Sequence, residues 1–274
     1  MAITTQLGSF QVVSGTPWRG VRYFCTTRLG GYSVPPFDTL NFAAHVGDDA
    51  ASVQACREAL AAQIGVTPVW LDQVHGTTVH DADASAFAPG GAPSGQASLV
   101  APVADAAITS CEGRALAILT ADCLPVVVAD EAGRAVAVAH AGWRGLAAGV
   151  LDNTVLALRA RLPDQAVLRA WIGPAIGQSA FEVGPDVYAA FCDSQPECAV
   201  YFAQRPGTES VGGKWLADLA GLARHRLAAL GVRYIEQSSW CTYRHPELFY
   251  SYRFKHPTGR MATLAWLDPA TDLP

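Results

Sequence analysis

Apolar and polar positions change over in short blocks along this chain. Apolar runs too short for helices mark strands over 21–27, 106–109, 115–120, 124–129 and 135–140, with a last pair over 248–254 and 261–267. Longer stretches with helical spacing fall at 146–162, 185–192 and 216–230, each followed by a breaker or loop. One more helix ends near Ala62, with Asp48 or Asp49 able to cap its start and Gly65 just past its end. Arg28-Leu29-Gly30-Gly31 turns the chain after the first strand, and the apolar run 69–74 ends at His75. Residues 86–96, rich in Gly, Pro, Ala and Ser, read as a surface loop and not as a linker. No internal repeat and no shift of composition marks a boundary, and the length allows one large domain or two small ones. Strands and helices interleave without a regular βαβ rhythm, which points to an α/β chain of the α+β type with mixed sheets.

The segments 124–129 and 134–139 flank Asp130-Glu131-Ala132-Gly133, a turn signal, and so read as a hairpin. With Glu131 and Ala132 as its two-residue loop, Cys123 falls opposite His140. Opposed residues on one face lie about 4.5–5.5 Å apart at Cβ, close enough to share one ion. A longer loop would slip this register.

Composition narrows the classes. The chain has 274 residues, half of them hydrophobic and 16% charged, enough to bury a full core and against disorder. A net charge of −5 without a basic cluster disfavours a nucleic-acid partner. No apolar run reaches membrane-spanning length, and Met1-Ala2-Ile3-Thr4-Thr5-Gln6 lacks the basic start and apolar core of a signal peptide. Seven cysteines without a framework spacing fit reduced thiols, and a cytoplasmic location is expected. No protein partner is evident.

Three polar segments abut apolar runs: Asp72-Gln73-Val74-His75-Gly76, Thr120-Ala121-Asp122-Cys123-Leu124-Pro125 and His140-Ala141-Gly142-Trp143-Arg144-Gly145. Their two imidazoles and one thiol suit zinc, and a three-residue ligand set leaves the fourth position for water or substrate, as in a catalytic site. Taken alone, His75 reads more readily as a hydrogen-bonded turn residue than as a ligand, and Cys123 as a small buried hydrophobe. The spacing is not a local metal motif.

These three segments stand in order with Ala104-Asp105-Ala106 and Gly173-Pro174-Ala175-Ile176-Gly177. Flanking them are Arg28-Leu29-Gly30-Gly31, Leu40-Asn41-Phe42, Gly47-Asp48-Asp49, Phe181-Glu182-Val183-Gly184, and Phe249-Tyr250-Ser251-Tyr252-Arg253 with Gly259-Arg260. Together they resemble the YfiH family, long labelled "laccase domain" or polyphenol oxidase, over a core of about residues 21–267. One departure is Cys56-Arg57, where the family usually carries Asn-Arg. The resemblance implies a single catalytic domain over 1–274, with two mixed β-sheets packed face to face and helices outside, related to the cytotoxic necrotizing factor fold. It implies zinc held by His75, Cys123 and His140, which then also carry the chemistry. The implied activity is phosphorolysis of purine nucleosides (adenosine, inosine and methylthioadenosine) by inorganic phosphate, with adenosine deamination alongside.

Phosphorolysis needs an anion cradle and a proton donor near the base. Arg144 is a phosphate candidate because it precedes the expected helix start; Arg28 and Arg57 are further candidates and Arg253 a weaker one, each equally able to form a structural ion pair. Asn41 can bind a ribose hydroxyl or a base edge, or hold a turn. Asp122 can orient a metal-bound imidazole or cap a turn, and His45 and His80 can carry protons or be structural.

Rival functions remain. Four-copper oxidase chemistry needs more imidazoles than the seven present, in His-x-His pairs that this chain lacks. A polyphenol oxidase using one copper, which outcompetes zinc for such ligands in vitro, is a narrower alternative. A metal-independent cysteine hydrolase or amidase would use Cys123 as nucleophile and His140 as base. A zinc site that serves folding alone would need a fourth protein ligand.

Overall fold

A computed structural model describes residues 3–84, 101–207, 213–268 and 270; the expected loop over 86–96 lies outside them. In chain order the main elements are β1 (Ile3–Leu7), β2 (Phe10–Ser14), β3 (Val21–Thr26), α1 (Ala50–Ile64), β4 (Val79–Asp81), β5 (Ala106–Thr109), β6 (Leu116–Thr120), β7 (Leu124–Asp130) and β8 (Val136–Ala141). Then follow α2 (Trp143–Ala148), α3 (Val150–Arg159), β9 (Leu168–Ile172), β10 (Glu182–Val183), α4 (Pro185–Cys192), β11 (Phe202–Gln204), β12 (Trp215–Ala217), α5 (Leu219–Ala229), β13 (Tyr234–Gln237) and β14 (Met261–Leu267).

Two large sheets and one small one result. The first runs β1-β2-β3-β14-β6 and is antiparallel throughout. The second runs β13-β9-β7-β8-β5-β4 and is mixed, with parallel pairs at its two edges. A short sheet β10-β12-β11 stands apart. The expectation of two mixed sheets is therefore half right: the first sheet has no parallel pair, because hairpin-like neighbours and the returning β14 all run against one another.

Side-chain alternation explains the stacking. In β7, Val127 and Ala129 join Val13, Tyr23, Ile118 and Met261 between the two large sheets. Val126 and Val128 point the other way and pack with Leu151, Val155, Leu158, Leu222 and Leu227 of the helices. β14 does the same for the first sheet: Met261, Ala265 and Leu267 face inward, whereas Ala262, Leu264 and Trp266 meet Cys56 and Leu60 of α1. Helices thus cover both outer faces. Central strands buried on both sides read as unbroken apolar runs, which is why β6, β7 and β8 were visible in sequence.

Local signals set several boundaries. Asp49 caps α1 through its carboxylate and the Ser52 N–H at 2.8 Å, and Gly65 ends it at φ 74. The single helix expected over 146–162 is broken at Gly149, whose φ of 97 closes α2 and opens α3. The helix expected over 216–230 begins only at Leu219, because Asp218 caps it and the preceding residues pair as β12. Residues 69–74 make only the isolated bridges Val69↔Leu116 and Asp72↔Val103. The segment 248–254 forms turns and not a strand; Phe249 and Tyr250 enter the core from it.

The hairpin register differs from expectation. Pro125, not Cys123, pairs with His140, and the loop spans residues 131–134. Gly133 adopts φ 70 there, a Cβ on it would meet the Arg19 carbonyl oxygen at 2.7 Å, and Arg134 pairs with Asp130 to close the turn. A slip of two residues keeps every side chain on its face. One step beyond the Leu124↔Ala141 pair, Cys123 faces Gly142.

Candidate metal centre and cavity

His75, Cys123 and His140 converge at one end of the mixed sheet, with their ligand atoms within 4.8 Å of one another. Cys123 sits in the turn before β7, His140 in the penultimate position of β8, and His75 on a loop held at φ 60. That left-handed conformation is uncommon for a side chain with a Cβ, and a buried carboxylate fixes it. Asp105 Oδ1 accepts the His75 N–H at 2.9 Å, and Oδ2 accepts those of Gly76 at 2.6 Å and Val74 at 3.2 Å. Oδ1 also lies 2.8 Å from His140 Nδ1. One carboxylate therefore orients the two imidazole-bearing segments at once. Contact with Nδ1 leaves His140 Nε2 to face the centre.

The electrostatics follow from this packing. Burial pushes the Asp105 carboxyl up, but the His140 imidazole and the Gly76 and Val74 N–H groups outweigh it and hold the carboxyl below its usual range. Burial also opposes charge on Cys123, yet His140 and then His75 bring its thiol down to about 6. For His140 burial works against the proton, and Asp105 and Cys123 together raise it to about 9. Thiolate and imidazolium coexist at neutral pH.

These donors fit a single soft-to-borderline ion. The His75 Nε2 to Cys123 Sγ separation is 3.8 Å, against about 3.6 Å for an N···S edge of a tetrahedral zinc site. Gly142 leaves the room: a Cβ there would lie 2.8 Å from His75 Cδ2 and 3.0 Å from Cys123 Sγ. Among the described residues this is the one such ligand group.

Beside the trio lies a cavity of about 410 Å³, which His75, Cys123 and His140 help to line. Leu71, Leu119, Ile176, Phe181 and Trp143 give it apolar wall; Arg144, Arg253 and Arg260 give it positive charge. His45, Gln73, Asp122 and Tyr252 also line it. Gln73 docks on the edge of β6, donating to the Leu119 carbonyl at 2.9 Å and accepting from its N–H at 2.7 Å.

Of the residues singled out in sequence, Arg144 reaches the cavity but not as a helix-terminus anion site. It lies inside the six-residue α2, exposed and stacked over Trp143 at 4.3 Å. Arg28 does not line the cavity: its guanidinium is bound to the Asp38 and Pro246 carbonyls and the Asp38 carboxylate. Arg57 is likewise taken up, by the Phe42 carbonyl and the Trp70 ring. Buried Asn41 bonds Ala43, Asp48 and the Arg260 N–H. His80 lies in β4, outside the lining. Asp122, at φ 91, has neither candidate ligand histidine among its hydrogen-bond partners; it accepts from Thr242 Oγ1 at 2.6 Å and the Arg253 N–H at 2.7 Å, tying the cavity rim together. The imidazole-orienting role falls to Asp105. Its sequence signal was a lone carboxylate at the mouth of an apolar strand, where burial demands partners.

The comparisons agree with this architecture. A purine nucleoside phosphorylase of Pseudomonas aeruginosa is 44% identical over 248 residues, covering 90% of this chain and 94% of its own. Purine nucleoside phosphorylase YfiH of Escherichia coli is 43% identical over 251 residues, 91% and 95% of the two chains. A crystal structure of a Neisseria meningitidis protein superposes with a TM-score of 0.83 at 42% identity, covering 95% of this chain and all of that one. YlmD from Geobacillus stearothermophilus gives 0.81 at 28% identity, over 98% and 100%. A family model described as multi-copper polyphenol oxidoreductase laccase matches residues 22–268, and the chain belongs to that family, within which its YfiH-type relatives are named purine nucleoside phosphorylases.

Proposed function

We propose that this chain is a zinc-dependent purine nucleoside phosphorylase, acting as one catalytic domain in the cytoplasm. The observation that carries the reading is the cavity: apolar walls for a purine, three arginines for an oxyanion, and the His–Cys–His trio beside both. Its size falls within the range of small-ligand pockets.

In the reaction, a phosphate oxygen forms a bond to C1′ of the ribose as the C1′–N9 bond breaks. The electron pair leaves with the purine, which takes up the proton that hydrogen phosphate brings. Arg144, Arg253 and Arg260 hold negative charge in the cavity, and His45 lines it as a proton carrier. Asp105 fixes the His140 ring and the His75 loop. His75, Cys123 and His140 would hold the metal ion, which would supply Lewis acidity and lower the pKa of a water there. Adenosine, inosine and methylthioadenosine are the proposed nucleosides. Adenosine deamination, in which water replaces the C6 amine, is the proposed side reaction.

The test is mass analysis of products from purified protein and adenosine, with and without phosphate, beside Cys123→Ala. Phosphate-dependent adenine and ribose 1-phosphate, lost in a folded Cys123→Ala of low zinc content, is the expected result. No turnover of any purine nucleoside would sink the reading.

The lowered thiol of Cys123 beside His140 favours one second reading, a metal-independent cysteine hydrolase or amidase. A relationship to the cytotoxic necrotizing factor fold would accord with it. A chelated protein that stays active and is silenced by a thiol alkylator would move this reading to the front.

A further inference from the structure

Three arginines line the cavity, and their surroundings differ. Arg144 is exposed and lies over Trp143. Arg253 is exposed, donates to the Glu182 carbonyl at 2.9 Å, and rests over the Phe181 ring at 5.4 Å. Arg260 is half-buried, and its side chain donates only through one terminal nitrogen, to the Thr258 carbonyl at 2.9 Å and the Gly259 carbonyl at 3.0 Å. Among the described residues no carboxylate pairs with it. Cys123 and then Asp122 act on it only across space; the two Asp122 oxygens are bound to Thr242 and to the Arg253 N–H.

A guanidinium does not give up its proton, so a half-buried one with no carboxylate in contact has a place for an anion. Its Nε and second terminal nitrogen form an edge that matches two oxygens of a phosphate. The same cavity holds Cys123 and His75, so an anion on this edge stands beside the metal centre. We propose that Arg260 is the ligand of the phosphate co-substrate, presented by a backbone segment that Asn41 and Tyr250 lock in place. This inference rests on the phosphorylase reading.

The locking contacts are specific. Asn41 Oδ1 accepts the Arg260 N–H at 2.9 Å, while its amide donates to the Ala43 carbonyl and, at 2.8 Å, to Asp48. The Phe42 N–H donates to the Arg260 carbonyl at 3.4 Å. Gly259 lies flat on the Tyr250 ring, where a Cβ would meet ring carbons at 2.6–2.9 Å. Tyr250 in turn donates its hydroxyl to the Phe37 carbonyl and carries the Arg28 guanidinium over its ring at 4.6 Å. Arg28 and Asn41 thus serve an anion site without touching the anion. Such support holds the guanidinium in position before the ligand arrives.

The experiment measures phosphate and nucleoside KM separately in zinc-loaded wild type, Arg260→Gln and Arg260→Lys. Thermal shift with inorganic phosphate alone is read in parallel. In Arg260→Gln the phosphate KM is expected to rise about tenfold or more, with nucleoside KM within about twofold. The phosphate-induced rise in Tm is expected to vanish. Arg260→Lys keeps charge and stem but loses the two-pronged edge, and is expected to fall between the two. If wild type phosphorolyses while both variants keep its phosphate KM and thermal shift, the assignment is overturned. Equal rises in both KM values in both variants would also overturn it, making Arg260 structural. If wild type turns over no nucleoside yet gains Tm from phosphate only with Arg260 present, the phosphorylase reading fails and the anion site stands.

Discussion

His140 Nδ1 and Asp105 Oδ1 lie 2.8 Å apart, with both residues shut off from solvent. The same carboxylate takes three consecutive N–H groups from the loop that carries His75. Asp105→Ala would free the His140 ring and leave those N–H groups without an acceptor. Zinc affinity is expected to fall by about 10–100-fold, the usual effect of losing a partner that orients a ligand. Competition with a metallochromic chelator measures it; unchanged affinity would show that packing alone holds the two histidines.

Gly142 governs the spacing of the trio through what it lacks. A methyl group there would lie 2.8 Å from His75 Cδ2, closer than real Cβ atoms come, and 3.0 Å from Cys123 Sγ, a tight contact. Its own backbone, at φ −64, admits any residue, so the conflict is confined to the candidate metal centre. Gly142→Ala is expected to fold, to bind little zinc and to lose phosphorolysis. Metal content after size-exclusion chromatography, together with the circular dichroism spectrum, is the check.

Cys123 should be the most reactive of the seven thiols once metal is removed. Its thiol is drawn down to about 6, whereas burial pushes Cys25 up to about 12 and also raises Cys111, Cys192 and Cys198. With chelator at pH 7, iodoacetamide is expected to label Cys123 first, and added zinc to protect it. Peptide mass mapping that finds another cysteine labelled first would contradict the thiolate–imidazolium pair.

Much of this organisation was legible in sequence where the signal is local. The caps of α1 at Asp49 and Gly65, the run of α4 from Pro185, and strands β6, β7, β8 and β14 each carry their own punctuation or an unbroken apolar run. The three metal-ligand candidates stood out as polar residues beside such runs. Arg260 was visible only as part of a motif, because its meaning depends on Asn41, 219 residues away in sequence. Asp105 had the same difficulty, with partners 29–35 positions distant. Where local signals misled, the residues served another layer. The aromatics of 248–254 mimic a strand because Phe249 and Tyr250 fill the space between the sheets. The β1–β2 hairpin escaped notice because Ile3-Thr4-Thr5-Gln6-Leu7 has little apolar character.

A last prediction concerns stability at the far end of β4. Asp83 accepts the Thr109 hydroxyl and the Ser110 N–H and pairs with Arg114 and Arg161, joining β5 to the turn after α3 and to the chain before β6. Burial raises its carboxyl, but these donors outweigh that and hold it below the ordinary 3.8. A depressed folded-state value means that the unfolded chain binds the proton first as pH falls. The stabilisation is therefore full above the ordinary carboxylate range and is lost as pH drops through the folded-state value. Asp83→Asn is expected to cost about 2–4 kcal/mol at pH 7, since it leaves buried cationic and hydroxyl donors short of an acceptor. That difference should shrink steadily below pH 3.8. Urea unfolding of both proteins across this range tests it, and a difference that stayed constant with pH would mean that the Asp83 charge contributes nothing to the fold.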